Sequence, residues 1–220
     1  MKKFKLVVFD LDGTLLDTSE GILSAAKYAI TNCGRDLPSQ KVLDSYIGPP
    51  IQQSFAKTFG ISGETLDDMA LCFRNRYKDY DLLKAKPYEQ IYALCQSLVD
   101  KGFVLAVATY KREDYANTLL KYFSFDKYFK IICGSDFAGK LTKADIIRNA
   151  ISKASVTDYQ EVIMIGDTEH DAIGAEKLGL SFIGVTYGFG FKKNDVISGN
   201  NIIGIANDTA QIEEILLGGL

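Results

Sequence analysis

Phe4-Lys5-Leu6-Val7-Val8-Phe9-Asp10-Leu11-Asp12-Gly13-Thr14 is the stretch on which the fold of this 220-residue chain turns. Its first six residues are almost all apolar and read as a buried strand, and two carboxylates stand two residues apart where that strand ends. A buried strand end is a poor place for a carboxylate unless a metal, a proton or a phosphoryl group is handled there. Gly13-Thr14 supplies a turn. An acidic loop capping the next helix is the plain alternative for a bare Asp-x-Asp, so the rest of the chain has to decide.

Short apolar runs recur at 103–108 (FVLAVA), 129–133 (FKIIC), 161–165 (EVIMI), 181–185 (SFIGV) and 201–205 (NIIGI). Amphipathic segments lie between them, near 87–101, 112–122, 143–154, 169–179 and 208–217. This alternation predicts an α/β fold, a doubly wound, Rossmann-like parallel sheet with helices on both faces. It breaks once. From 16 to 83 there is no convincing strand but helical stretches at 19–33, 39–45, 50–59 and 63–81, the last with Leu66, Met69, Ala70, Phe73 and Tyr77 on one face. We therefore expect a core of 1–15 and 84–220, an all-helical subdomain at 16–83 inserted after the first strand, and paired hinges at 15–18 and 84–87 that let it close over a substrate.

Composition narrows the function classes. With 47% hydrophobic and 24% charged residues the chain reads as an ordinary globular protein. Its net charge of −3 offers no general attraction to nucleic acid polymers or to anionic membranes. No stretch approaches the ~20 apolar residues of a membrane span, and Met1-Lys2-Lys3 with its short apolar run is not expected to act as a signal peptide. The expected location is cytoplasmic, with the four scattered cysteines (Cys33, Cys72, Cys95, Cys133) as buried free thiols. His170 is the only histidine, which excludes a His-based triad or a His-rich zinc site.

In an open parallel sheet, ligands bind at the carboxyl ends of the strands. Those ends bear Asp10 and Asp12 after the first strand, Thr109 with Tyr110 and Lys111 after the second, and Gly166-Asp167 after the fourth, with Asp171 four residues on. Lys143 starts the helix after the third strand. Singly, each has an ordinary reading: a strand-end threonine, a solvated lysine, a helix cap. Together, in this order, they gather carboxylates, a hydroxyl and an ammonium on one edge.

Here the sequence resembles the haloacid dehalogenase superfamily of phosphohydrolases. The resemblance lies in FDLDGTLLDT (9–18), VATYK (107–111), Lys143 within GKLTKADII (139–147), and IGDTEHD (165–171). YIGPPIQQSF (46–55) and VTYGFG (185–190) are similar to the phosphoglycolate phosphatase-like and 5′-nucleotidase-like group. The resemblance implies a helical cap and a Mg²⁺-dependent phosphomonoesterase acting on a small phosphorylated metabolite, phosphoglycolate-like or a nucleoside monophosphate. It implies Asp10 as nucleophile, forming an aspartyl-phosphate. Asp12 would be general acid and then base, and Thr109, the Tyr110 amide and Lys143 would hold the phosphoryl group. Mg²⁺ would take Asp10, the Asp12 carbonyl and Asp167, with Asp171 orienting Lys143 or a metal-bound water.

Many relatives have Lys-Pro at the third signature, whereas this chain has Lys143-Ala144. Lys140 competes for the role, and Lys143 is favoured because ADIIRNAI continues from it as a helix. A phosphosugar mutase of the same fold is the first alternative, but its cap-hinge histidine position is Ile22 here. Dehalogenases lack the second Asp, which this chain has. A non-catalytic phosphate-binding module would have lost one of Asp10, Asp12, Lys143 or Asp167, and all four are present. In the cap, Lys57 and Arg74-Asn75-Arg76 read as solvated faces, and Tyr46–Pro50 either faces the pocket or simply starts the next helix. VTYGFG lacks dinucleotide-loop spacing and reads as a flexible loop near the site mouth.

Overall fold

The structure is a computed structural model that describes residues 4–136, 140–193, 195, 199 and 201–218. Along the chain come β1 (Leu6–Phe9), β2 (Leu16–Asp17), α1 (Ser19–Asn32), α2 (Gln40–Asp44), α3 (Ile51–Phe59) and α4 (Gly63–Arg76), which runs into a π-turn at Tyr77–Asp81. Next are β3 (Lys86–Pro87), α5 (Ile91–Asp100), β4 (Val104–Arg112), α6 (Glu113–Tyr122), β5 (Ile131–Ser135) and α7 (Lys143–Lys153). The chain closes with β6 (Val162–Gly166), α8 (Glu169–Lys177), β7 (Ser181–Val185), β8 (Ile202–Ala206) and α9 (Thr209–Gly218). Two compact units result, Met1–Leu16 with Pro87–Leu220, and Asp17–Lys86.

The first unit holds a six-stranded sheet in the order β5-β4-β1-β6-β7-β8, parallel at every pairing. Alternation along β1 sends Leu6 and Val8 to one face, where they join Ala106, Met164, Ile146, Ile147, Ala150 and Ala175 in a buried layer under α7 and α8. Phe9 points to the other face and meets Phe129 edge-on. Burial on both faces is why β1, β4 and β6 read as unbroken apolar runs rather than alternating ones. β4 runs past its apolar stretch to Arg112, with its register against β5 shifting between Ala108 and Arg112. Thr109, Tyr110 and Lys111 therefore sit on strand rather than in the loop expected after residue 108.

The second unit is helical. α1 packs on α4, and α3 on α4. Tyr46, Phe55, Phe73 and Tyr77 form a chain of edge-on and stacked rings that gives this small unit its core. Tyr46 is thus buried within the unit. The arginines expected on a solvated face are tied down. Arg74 donates to Gln52 Oε1, and Arg76 lies over the rings of Tyr28 and Tyr80 while paired with the buried Asp81. Of the cysteines expected to be buried, Cys95 and Cys133 are, whereas Cys33 is exposed and Cys72 half-buried. Among the described residues, no helix is long and apolar enough to cross a membrane.

Candidate active site

β1 and β6 are neighbours at the centre of the sheet, but their chains leave in opposite directions. β1 leads towards β4 on one side and β6 to β7 on the other. The diverging loops open a crevice at the carboxyl ends of these two strands. Asp10 and Asp167 stand there, both buried, and Asp10 N–H donates to Ile165 O at 2.9 Å, which continues the sheet by one rung.

Lys143 reaches the same point from the first turn of α7. Thr142 and Asp145 form a reciprocal capping box at that helix start, and the Tyr110 hydroxyl accepts the Lys143 N–H at 3.0 Å. The buried Lys143 Nζ then lies 2.6 Å from Asp10 Oδ1 and 2.6 Å from Asp171 Oδ1. Lys140 is exposed, and its N–H donates to Asp136 Oδ1. Gly139, at the head of the third signature, lies outside the described residues. Asp171 is held from behind by its own helix cap: its Oδ2 accepts from Thr168 N–H at 3.0 Å and from the Thr168 hydroxyl at 2.7 Å.

The other predicted residues stand on β4 and just past β1, which pair in the sheet. Thr109 is buried and its Oγ1 accepts the Lys111 N–H at 3.2 Å. Asp12 Oδ2 pairs with Lys111 Nζ at 3.2 Å. The Tyr110 ring stands edge-on to the exposed His170.

The loop after β7 departs from expectation. Instead of hanging free it is fastened to the cluster. Tyr187 donates its hydroxyl proton to Thr14 O at 3.1 Å, and Phe191 N–H donates to Asp167 O at 2.7 Å. The N–H groups of Phe189 and Gly190 donate to Asp167 Oδ2 at 2.7 and 3.2 Å. A Cβ on Gly188 would run into Gly13 O and the Asp167 side chain, so only glycine lets the two backbones approach this closely. Glycines at 188 and 190 were the signal in the sequence, and Lys111 was named there without a role.

Residues 7–185 match the family described as haloacid dehalogenase-like hydrolase. The chain belongs to that family. It is accordingly an enzyme of the hydrolase class. It is 33% identical over 215 residues to a 5′-nucleotidase of Pseudomonas aeruginosa, covering 97% of this chain and 96% of that one. It is 30% identical over 187 residues to the tyrosine-protein kinase PtkA of Mycobacterium tuberculosis, covering 84% of this chain and 63% of the kinase. Among solved structures it resembles a protein of Clostridium acetobutylicum described as a predicted phosphatase, with a TM-score of 0.89 and 37% identity over 98% of this chain and 99% of the other.

The electrostatics of this haloacid dehalogenase-like site would suit a bound cation. Carboxylate oxygens of Asp10, Asp167 and Asp171 all lie within 4.8 Å of one another, and the Lys143 ammonium faces Asp10 and Asp171. Burial pushes Asp10 up to about 7; the charges of Asp171 and Asp12 add to this, and Lys143 opposes it. Burial and the neighbouring Asp171 and Asp10 push Asp167 up to about 8, against the two amides. Burial alone would lower Lys143, but its two carboxylates outweigh it and hold the ammonium above its ordinary value. Asp167 Oδ1 is buried and accepts no hydrogen bond among the described residues. A buried acceptor without a donor, in an all-oxygen set with more anions than cations, fits a hard divalent ion such as Mg²⁺.

Proposed function

We propose that this hydrolase is a Mg²⁺-dependent phosphomonoesterase that cleaves a small phosphorylated metabolite through an aspartyl-phosphate on Asp10. The observation behind this reading is the buried Asp10–Lys143–Asp171 arrangement beside an Asp167 Oδ1 that has no hydrogen-bond partner among the described residues, at the crevice between β1 and β6 where the strand order reverses. Asp10 and Asp167, with the Asp12 carbonyl, would hold the ion, which neutralises charge on the phosphoryl group when bound.

The Asp10 carboxylate attacks phosphorus in line, and the ester P–O bond breaks as Asp12 passes a proton to the leaving alcohol oxygen. Asp12 next takes a proton from water, whose oxygen displaces the aspartyl oxygen from phosphorus, giving inorganic phosphate and restoring Asp10. Lys143 neutralises Asp10 and the transferring group. Thr109 Oγ1 already accepts from Lys111 N–H, so its own proton is the one offered to a phosphoryl oxygen, alongside the Tyr110 amide. Asp171 is the second carboxylate that holds Lys143.

The substrate class we favour is a nucleoside monophosphate, because the 5′-nucleotidase relative is matched over nearly its whole length. A phosphoglycolate-like acid is the second choice. A kinase reading has less support, since about a third of PtkA lies outside the matched region.

Phosphate release from a panel of phosphomonoesters, with and without Mg²⁺ and with Asp10→Asn as blank, tests the proposal. Metal-dependent turnover that disappears in the variant is the expected result, with nucleoside monophosphates ranked first. Phosphate transfer from ATP to a tyrosine peptide, with no hydrolysis of any monoester, would overturn it.

A further inference from the structure

Lys192 is a basic residue next to the cluster for which the mechanism above has no use. Its Nζ donates to Phe189 O at 2.9 Å and to Gly188 O at 3.4 Å. These two carbonyls belong to the peptide groups 188–189 and 189–190. The N–H ends of the same two peptide groups are the donors to Asp167 Oδ2, at 2.7 and 3.2 Å. Each peptide dipole therefore has an ammonium at its oxygen end and a carboxylate at its N–H end. Charge at both ends polarises the amides, which strengthens hydrogen bonds in series and orients the loop.

We propose that Lys192 is a positioning residue for the metal centre, acting through peptides 188–189 and 189–190 to hold Asp167 Oδ2 so that Oδ1 faces the cation. The inference rests on the metal-dependent reading above. With Oδ2 saturated by two amides, rotation of the carboxylate would break both bonds, and Oδ1, without a partner among the described residues, is the carboxylate oxygen left to offer a ligand pair. Phe191 N–H on Asp167 O grips the same residue by its main chain, so the loop fixes Asp167 at both ends. Gly188 allows the approach. Lys192 itself is exposed, and its N–H is anchored on Asp195 Oδ2 at 2.7 Å, so the ammonium reaches back over the loop from a fixed point.

The test is calorimetric titration of the metal-free protein with Mg²⁺ and with Mn²⁺, comparing wild type, Lys192→Met, Lys192→Arg and Gly188→Ala, with Asp167→Asn as the non-binding reference. Loss of a ligand's direct hydrogen-bond partner costs about 10–100-fold in metal affinity, and Lys192 acts one peptide further out, so Lys192→Met is expected to weaken binding by roughly 3- to 10-fold. Lys192→Arg keeps a cationic donor and should restore most of that loss. Gly188→Ala should do more damage, but misfolding would mask its effect, so the exposed Lys192→Met is the deciding variant. Its metal-free thermal midpoint should match wild type. A purely structural role would lower that midpoint and leave the affinity untouched. Lys192→Met binding as tightly as wild type would overturn the clamp while leaving the metal reading intact. A wild-type protein that takes up neither ion would overturn the metal reading, and the clamp with it.

Discussion

Two buried aspartates, one in each unit, are treated in opposite ways. Asp81 in the helical unit has no solvent exposure and is satisfied on both oxygens: Oδ1 by the Ser24 hydroxyl and Lys84, Oδ2 by Arg76. Burial alone would raise its carboxyl, but the hydrogen bonds from Lys84, Arg76 and Ser24 outweigh this and hold it below the usual range. Asp167 in the sheet unit is equally buried, yet one oxygen has two amides and the other no hydrogen-bond partner among the described residues, and its carboxyl is pushed up. Cations balance the first carboxylate, so it serves stability. The second lies among more anions than cations, a cost that a bound cation would offset.

The contrast can be broken first at Asp10. Replacing Asp10 with Asn should cut turnover by at least about 10⁴-fold, as loss of a nucleophile does, without lowering the thermal midpoint, because it removes charge from an over-anionic cluster. Near-wild-type phosphate release, or a marked drop in stability, would erase the distinction. Asp81→Asn is the counterpart. It strands Arg76 and Lys84, and because both are partly exposed the cost should be about 2–3 kcal/mol, below the 3–5 kcal/mol of a fully buried pair, read from denaturant unfolding.

The pH dependence should differ in sign. Asp10 and Asp167 rise from 3.8 to about 7 and about 8 on folding, so the folded metal-free protein holds their protons more tightly than the unfolded chain does. Their contribution is greatest below the unfolded value and is lost as pH rises through the folded ones. The midpoint of the metal-free protein should thus fall between about pH 5 and about pH 8.5, and Mg²⁺ should restore it most at the alkaline end. Asp81, lowered on folding, contributes above its unfolded value and loses that contribution as pH falls, so Asp81→Asn should flatten the acid limb of the stability profile. An alkaline limb indifferent to Mg²⁺ would separate the raised carboxyls from metal binding. The smallest effect is expected from Tyr110→Phe, which removes the acceptor of Lys143 N–H at the start of α7. About 1 kcal/mol should be lost, measurable as a shift in denaturant midpoint.

Much of the architecture was legible because burial on both faces of a parallel sheet writes long apolar runs, and a helical insertion interrupts them. β6, β7 and β8 stand within a residue of where their runs lie, and β1 begins two residues into its run. β4 was read short, since Thr109, Tyr110 and Lys111 are polar on strand, as residues at a site mouth are. The glycine-spaced segment after β7 looked loose because its partners, Asp167 and Thr14, are distant in sequence. Arg76 looked solvated because helical periodicity does not show a buried carboxylate on the following turn.

The order of the strand-end residues and the α/β class with its helical insertion were determined by the sequence alone, because hydrophobic period and turn chemistry are local. Which lysine meets Asp10, which oxygen of Asp167 is left bare, and which buried aspartate lies in an excess of negative charge were decided only by tertiary structure. Those contacts join residues 133 positions apart in one case and 22 in another, and side-chain electrostatics depends on distance in space rather than along the chain.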